Sequence, residues 1–157
     1  MSLYDWLLAL HVLSAFAWVS ALVLYSVILA SAWGKSIPSD VARMFRVTKV
    51  GDALIGIGMI GTIVFGVWLA LDEYEIWDGW IIAALVLWLA AAATGSRGGK
   101  HYNGVRDRAN ALVAEGRNEP SPELDAGLRS RRGLVLHSAT VTLTVILLVI
   151  MIYKPGA

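Results

Sequence analysis

"YDWLLALHVLSAFAWVSALVLYSVILASAW", Tyr4 to Trp33, is an almost unbroken apolar run. At about 1.5 Å of rise per residue, a helix of this length crosses the roughly 30 Å hydrocarbon layer of a bilayer. An ordinary surface helix is apolar on one stripe only, whereas this run is apolar all round. Three more runs follow: Ala53 to Leu71, Trp77 to Gly95, and Leu134 to Tyr153. The reading is an all-α, four-helix transmembrane bundle forming one membrane domain over residues 1–157. A chain that is 57% hydrophobic and only 16% charged agrees with it. The leader "MSLYDW" carries Asp5 where a secretory signal has a positive region, and no small-residue cleavage site follows, so the first run is expected to stay in the mature protein.

The connections fix an expected orientation. Lys35, Arg43, Arg46 and Lys49 lie in 34–52, and Arg97, Lys100, Arg106, Arg108, Arg117, Arg129, Arg131 and Arg132 lie in 96–133. The turn "DEYEIWDG" between the second and third runs has four acidic residues and no basic one. The positive-inside rule then makes the two basic loops cytoplasmic and the topology N-out, C-out. Trp6, Trp33, Trp77, Trp80 and Tyr153 fall near span ends, where aromatic rings favour the headgroup level. Short cytoplasmic helices along the lipid surface are expected, one capped by Ser39 and one by Ser121 with Pro122 in its first turn. The rest of 96–133 reads as a partly ordered loop.

Composition also excludes chemistries. Without cysteine there is no disulfide, thiolate metal site, iron–sulfur cluster or c-type haem attachment. A net charge of +1 and the lack of base-reading motifs leave no case for a nucleic-acid partner.

The residues that could carry chemistry are few. Tyr4, His11, Trp18 and Tyr25 recur every seven positions and share one helical stripe, with Ser14 and Ala15 beside it. Polar atoms inside a membrane turn toward the bundle, so this stripe should face inward. His11 is then either an axial metal ligand or proton carrier, or a structural histidine bonded to a neighbouring helix carbonyl or hydroxyl. His137 is not its partner on one metal: counting helical rise, His11 and His137 lie about 15 Å apart along the membrane normal. At the depth of His11 the other helices offer Met151 and Trp68, allowing a His and Met pair or a single ligand. Met151 also has the bland reading of core packing. At the inner end His137 comes near the depth of Asp52, as a proton-holding couple or as an interfacial pair. His101, in "GGKHYNG", reads as solvated. Gly58, Thr62 and Gly66 are four apart, the small-residue spacing of closely packed membrane helices.

"LLALHVLSAFAWVSALVL", the Gly66–Leu69 stretch "GVWL" and the tail "LLVIMIYKPG" resemble a bacterial family of four-span integral membrane proteins of unassigned role. The first span is also similar to that of bacterial membrane protoporphyrinogen oxidases, which bind b-type haem, and to that of the membrane domain of copper-resistance proteins. Both resemblances imply a haem or metal ligand at His11, and the family implies a bacterial inner membrane. The oxidases use a basic residue in the third span, where this chain has none, and a copper site would want clustered Met, His or Cys, absent here.

The expectation is a membrane protein holding b-type haem or a similar porphyrin at His11, with Trp18, Tyr25 and Met151 around it, in a redox or haem-handling role. Its partners would be membrane lipid and a second copy of the chain or a membrane redox partner. The competing readings are a cofactor-free scaffold whose basic face meets anionic lipid or a partner protein, and a proton or solute transporter. No catalytic residue is assigned.

Overall fold

The computed structural model describes residues 2–155; Met1, Gly156 and Ala157, with the last glycine of the tail motif among them, lie outside the described residues. The elements are α1 (Leu3–Ala32), α2 (Pro38–Met44) running through a short 3-10 turn (Phe45–Val47) into α3 (Thr48–Glu73), α4 (Gly79–Ala114), α5 (Pro122–Leu128) and α6 (Arg131–Tyr153). Four of them, α1, α3, α4 and α6, belong to segments long and apolar enough to cross a membrane, and the molecule is an all-helical bundle. It reads as a multi-pass membrane protein. The side chains turned outward are of the lipid-facing kind, Leu13, Phe16, Ile57 and Ile60 among them.

The helix ends follow local chemistry. Ser2 opens α1 with a reciprocal capping box: its hydroxyl accepts from the Asp5 N–H at 3.2 Å and its own N–H donates to the Asp5 carboxylate at 2.7 Å. Ser130 caps α6, its hydroxyl accepting from the Gly133 N–H. Lys154 closes α6 in the left-handed region at φ 40°, just before Pro155.

The long helices pack as two antiparallel pairs, α1 on α3 and α4 on α6. Gly58 is what brings the first pair together: a methyl group there would lie 2.6 Å from the Trp18 backbone nitrogen and 2.7 Å from the Ser14 carbonyl oxygen. The two pairs meet at mid-depth through Trp18, Leu22, Ala84, Ala91 and Leu147. Thr140 and Thr94 join α6 to α4 by a hydroxyl–hydroxyl bond of 2.9 Å.

The basic end departs from expectation. Residues 96–133 are not a partly ordered loop, because α4 continues without a break to Ala114 and α5 follows. At 36 residues, α4 is about 54 Å long, far beyond the roughly 30 Å it needs to cross. Nor is the apolar side of α2 left free for lipid. Val41 and Phe45 are fully buried with Tyr102, Val105, Ala109, Leu112, Leu124 and Leu128, so α2 and α5 fold onto the extension of α4 as a cap with its own apolar core. The cap is continuous with Ile28, Leu29 and Ala32 at the end of α1. Ser39 is not the N-cap of α2 either: Ile37 holds that position, Pro38 begins the helix, and the Ser39 N–H donates to Asn118. Ser121 does stand at the N-cap of α5 with Pro122 next, without a side-chain cap bond.

Candidate ligand cleft

Toward the acidic end the two helix pairs diverge and enclose a cavity of about 440 Å³, inside the roughly 300–1,000 Å³ range of small-molecule sites. Its wall is apolar apart from a few groups. Of the residues singled out in the sequence, Tyr4, His11 and Trp18 from the stripe of α1 and Met151 from the end of α6 line it.

His11 is held by α3. Its Nδ1 lies 3.0 Å from the Thr62 carbonyl oxygen, and since a carbonyl only accepts, Nδ1 carries the proton and Nε2 keeps its lone pair. Gly66 is required beside it, because a methyl there would come within 2.9 Å of the His11 Cε1. The Thr62 hydroxyl turns back to the Gly58 carbonyl at 2.7 Å, so it does not compete for the ring. The small-residue face of α3 therefore both packs α1 and seats the imidazole. An imidazole with one nitrogen anchored on a carbonyl and the other unprotonated is in the state that ligates a metal. Among the described residues no group of three or more His, Asp or Glu side chains forms a protein-only metal site. A metal here would have to bring ligands of its own, as iron in a porphyrin does.

The other residues separate from the cleft. Tyr25 is buried but belongs to the basic end, where its hydroxyl donates to Asp52. Asp52 also accepts from Arg106 at 3.3 Å, and Arg106 donates in turn to Asp107 at 3.1 Å. His137 pairs with Ser26, Nε2 to Oγ 2.9 Å, so Asp52 and His137 take different partners and make no couple. Trp68 faces outward, 49% exposed, and does not line the cavity. His101 is not merely solvated: its Nε2–H donates to the Gly127 carbonyl at 3.0 Å, tying α4 to α5.

Asp52 thus links α1, α3 and the extension of α4. Replacing it with Asn should cost about 1 kcal/mol, below the usual worth of a charged hydrogen bond because water reaches this carboxylate. Thermal unfolding in detergent checks this, and an unchanged midpoint would show that the Tyr25 and Arg106 contacts carry no net stability.

Sequence reasoning missed the far end of the cleft. Tyr74, Trp80, Trp88 and Lys154 also line it. Lys154 donates to the Tyr74 hydroxyl at 2.6 Å and lies over the Tyr74 ring at 4.7 Å and the Trp80 ring at 5.6 Å. Those two rings meet edge to face, centroids 5.2 Å apart at 87°. Trp80 near a span end reads as a headgroup anchor, and only the fold turns it inward. Trp80 and Trp88 both keep an indole N–H buried with no acceptor. No family model, no curated protein and no solved structure matches this chain.

Proposed function

We propose that the protein is a bacterial inner-membrane protein, N-out and C-out, that holds a b-type haem or similar porphyrin in the cleft for electron transfer or haem handling. The observation that carries this reading is the orientation of His11, anchored by Nδ1 on the Thr62 carbonyl with a proton-free Nε2 in a residue that lines an apolar cavity. The residues fit such a group. His11 would offer the iron a ring nitrogen, Met151 adds a thioether side chain to the same wall, and Trp18 and Trp88 would give the ring flat apolar surface. When bound, the porphyrin iron supplies one-electron chemistry. The chain's own part is to fix the imidazole tautomer, exclude water and keep the site within the low-dielectric layer.

The test is an absorption spectrum of the protein purified in mild detergent, before and after haem addition. A Soret band is expected that is lost in His11→Ala, with haem affinity falling at least about tenfold, as for loss of a metal-site contact. Met151→Leu should keep the haem and change its reduction potential if the sulfur is the second ligand. A wild-type protein that stays colourless after haem addition would overturn the proposal.

A cofactor-free role at the other end draws on a separate observation. Among the described residues Lys35, Arg43, Arg46, Lys49, Lys100, Arg131 and Arg132 are in no ion pair. Where they reach anionic headgroups each adds about 1 kcal/mol of membrane attraction.

A further inference from the structure

Twelve of the 13 Lys and Arg residues lie at the basic end, and Lys154 is the thirteenth. It is the one Lys or Arg at the acidic end, and none of Asp5, Asp72, Glu75 and Asp78 there is within ion-pair distance of it. Instead its ammonium is held against Tyr74 and Trp80, in a residue that lines the cleft. The Tyr74 hydroxyl takes one of its three donors. The indole below it, only 7% exposed, carries an N–H without an acceptor. The ammonium keeps two further donors, and a carboxylate has two oxygens to accept them. The rest of the cleft wall is almost entirely apolar.

We infer that the cleft takes an amphipathic carboxylate, its apolar body between the helix pairs and its acid group at the Lys154, Tyr74 and Trp80 corner. The inference rests on the cleft being a ligand site, as proposed above, but not on iron. A porphyrin and a lipid-derived fatty acid share this chemistry. Either would lie with its charge at the acidic end of the bundle and its apolar part toward Trp18 and Leu147. The cation and ring system fix polarity, so the ligand enters in one orientation.

The experiment uses the full-length protein in detergent, set against empty micelles, with two matched pairs of probes. One pair is metal-free protoporphyrin and its dimethyl ester, followed by fluorescence; the other is oleate and methyl oleate, followed by calorimetry. In at least one pair the acid should bind about tenfold tighter than its ester, the worth of one charged hydrogen bond. Lys154→Met should abolish that preference and Lys154→Arg should keep it. Equal binding of acid and ester, a preference that survives Lys154→Met, or no binding of either acid overturns the inference. The two proposals fail separately. A haem spectrum with no acid preference sinks this one alone, whereas an acid preference in a protein that takes up no haem sinks the haem reading alone. A preference in the oleate pair only assigns the body of the ligand to lipid.

Discussion

Gly58→Ala is expected to lower the stability of the bundle by about 1–3 kcal/mol, the usual cost of forcing a methylene into a well-packed core. The atoms in the way are the Trp18 nitrogen, the Ser14 carbonyl oxygen and the Trp18 Cβ, at 2.6, 2.7 and 2.9 Å. Two of these are backbone, so no rotamer change relieves the clash and α1 must move away from α3. Moving it also lengthens the bond between His11 and Thr62, four residues further along α3. Gly58→Leu should therefore prevent accumulation of folded protein. Gly56→Ala is the matched control: nothing lies within 4 Å of a methyl there, and alanine is favoured over glycine in a helix interior by roughly 0.5–1 kcal/mol. Thermal unfolding followed by circular dichroism compares Gly58→Ala and Gly56→Ala with the wild type. If Gly58→Ala melts with the wild type, the first helix pair does not pack through this face.

The largest effect belongs to the cap. Phe45 is wholly buried among Val41, Tyr102 and their neighbours, and Phe→Ala in such a site costs about 3–5 kcal/mol. The cap joins the membrane helices through the ends of α1 and α3, so the loss should appear as local opening of α2 and α5 with the transmembrane helices retained. Trypsin cleavage after Arg43, within α2, should accelerate by about two to three orders of magnitude, since each 1.4 kcal/mol is roughly a factor of ten. The far-ultraviolet spectrum should change little. Unchanged proteolysis would mean that α2 is held by something other than this core.

How much of this was legible in the sequence differs from one part to another. The presence of four long apolar helices was, because lipid imposes length and apolarity together, and the runs from Tyr4, Ala53, Trp77 and Leu134 begin within five residues of α1, α3, α4 and α6. The extension of α4 was not, although the signal was present. Tyr102, Val105, Ala109 and Leu112 recur at helical spacing and are all buried. The glycines at 95, 98, 99 and 104 and the dense charge around them masked it. In the cleft the seven-residue stripe of α1 gave the inward face correctly for Trp18 and Tyr25, both buried. It could not tell that Tyr25 belongs to Asp52, because depth along a helix does not say which neighbour is adjacent. The pairing of Asp52 with His137 failed for the same reason: equal depth left the azimuth open, and Tyr25, Arg106 and Ser26 lay closer. Lys154 escaped because its role depends on the left-handed turn that ends α6 and folds its side chain back over Tyr74.

The uninterrupted course of α4 limits how its two ends can influence each other. Trp80 and Trp88 sit on the wall of the cleft, and Tyr102 and Val105 in the core of the cap, along one hydrogen-bonded rod. The part of the rod within lipid cannot shorten or unwind locally without breaking bonds that have no substitute there. Whatever shifts the indoles must reach the phenol and valine as rotation or tilt of the whole shaft. The junction between α2 and α4 would then slip sideways, and a fluorophore at that seam would register torque applied on the opposite face of the membrane.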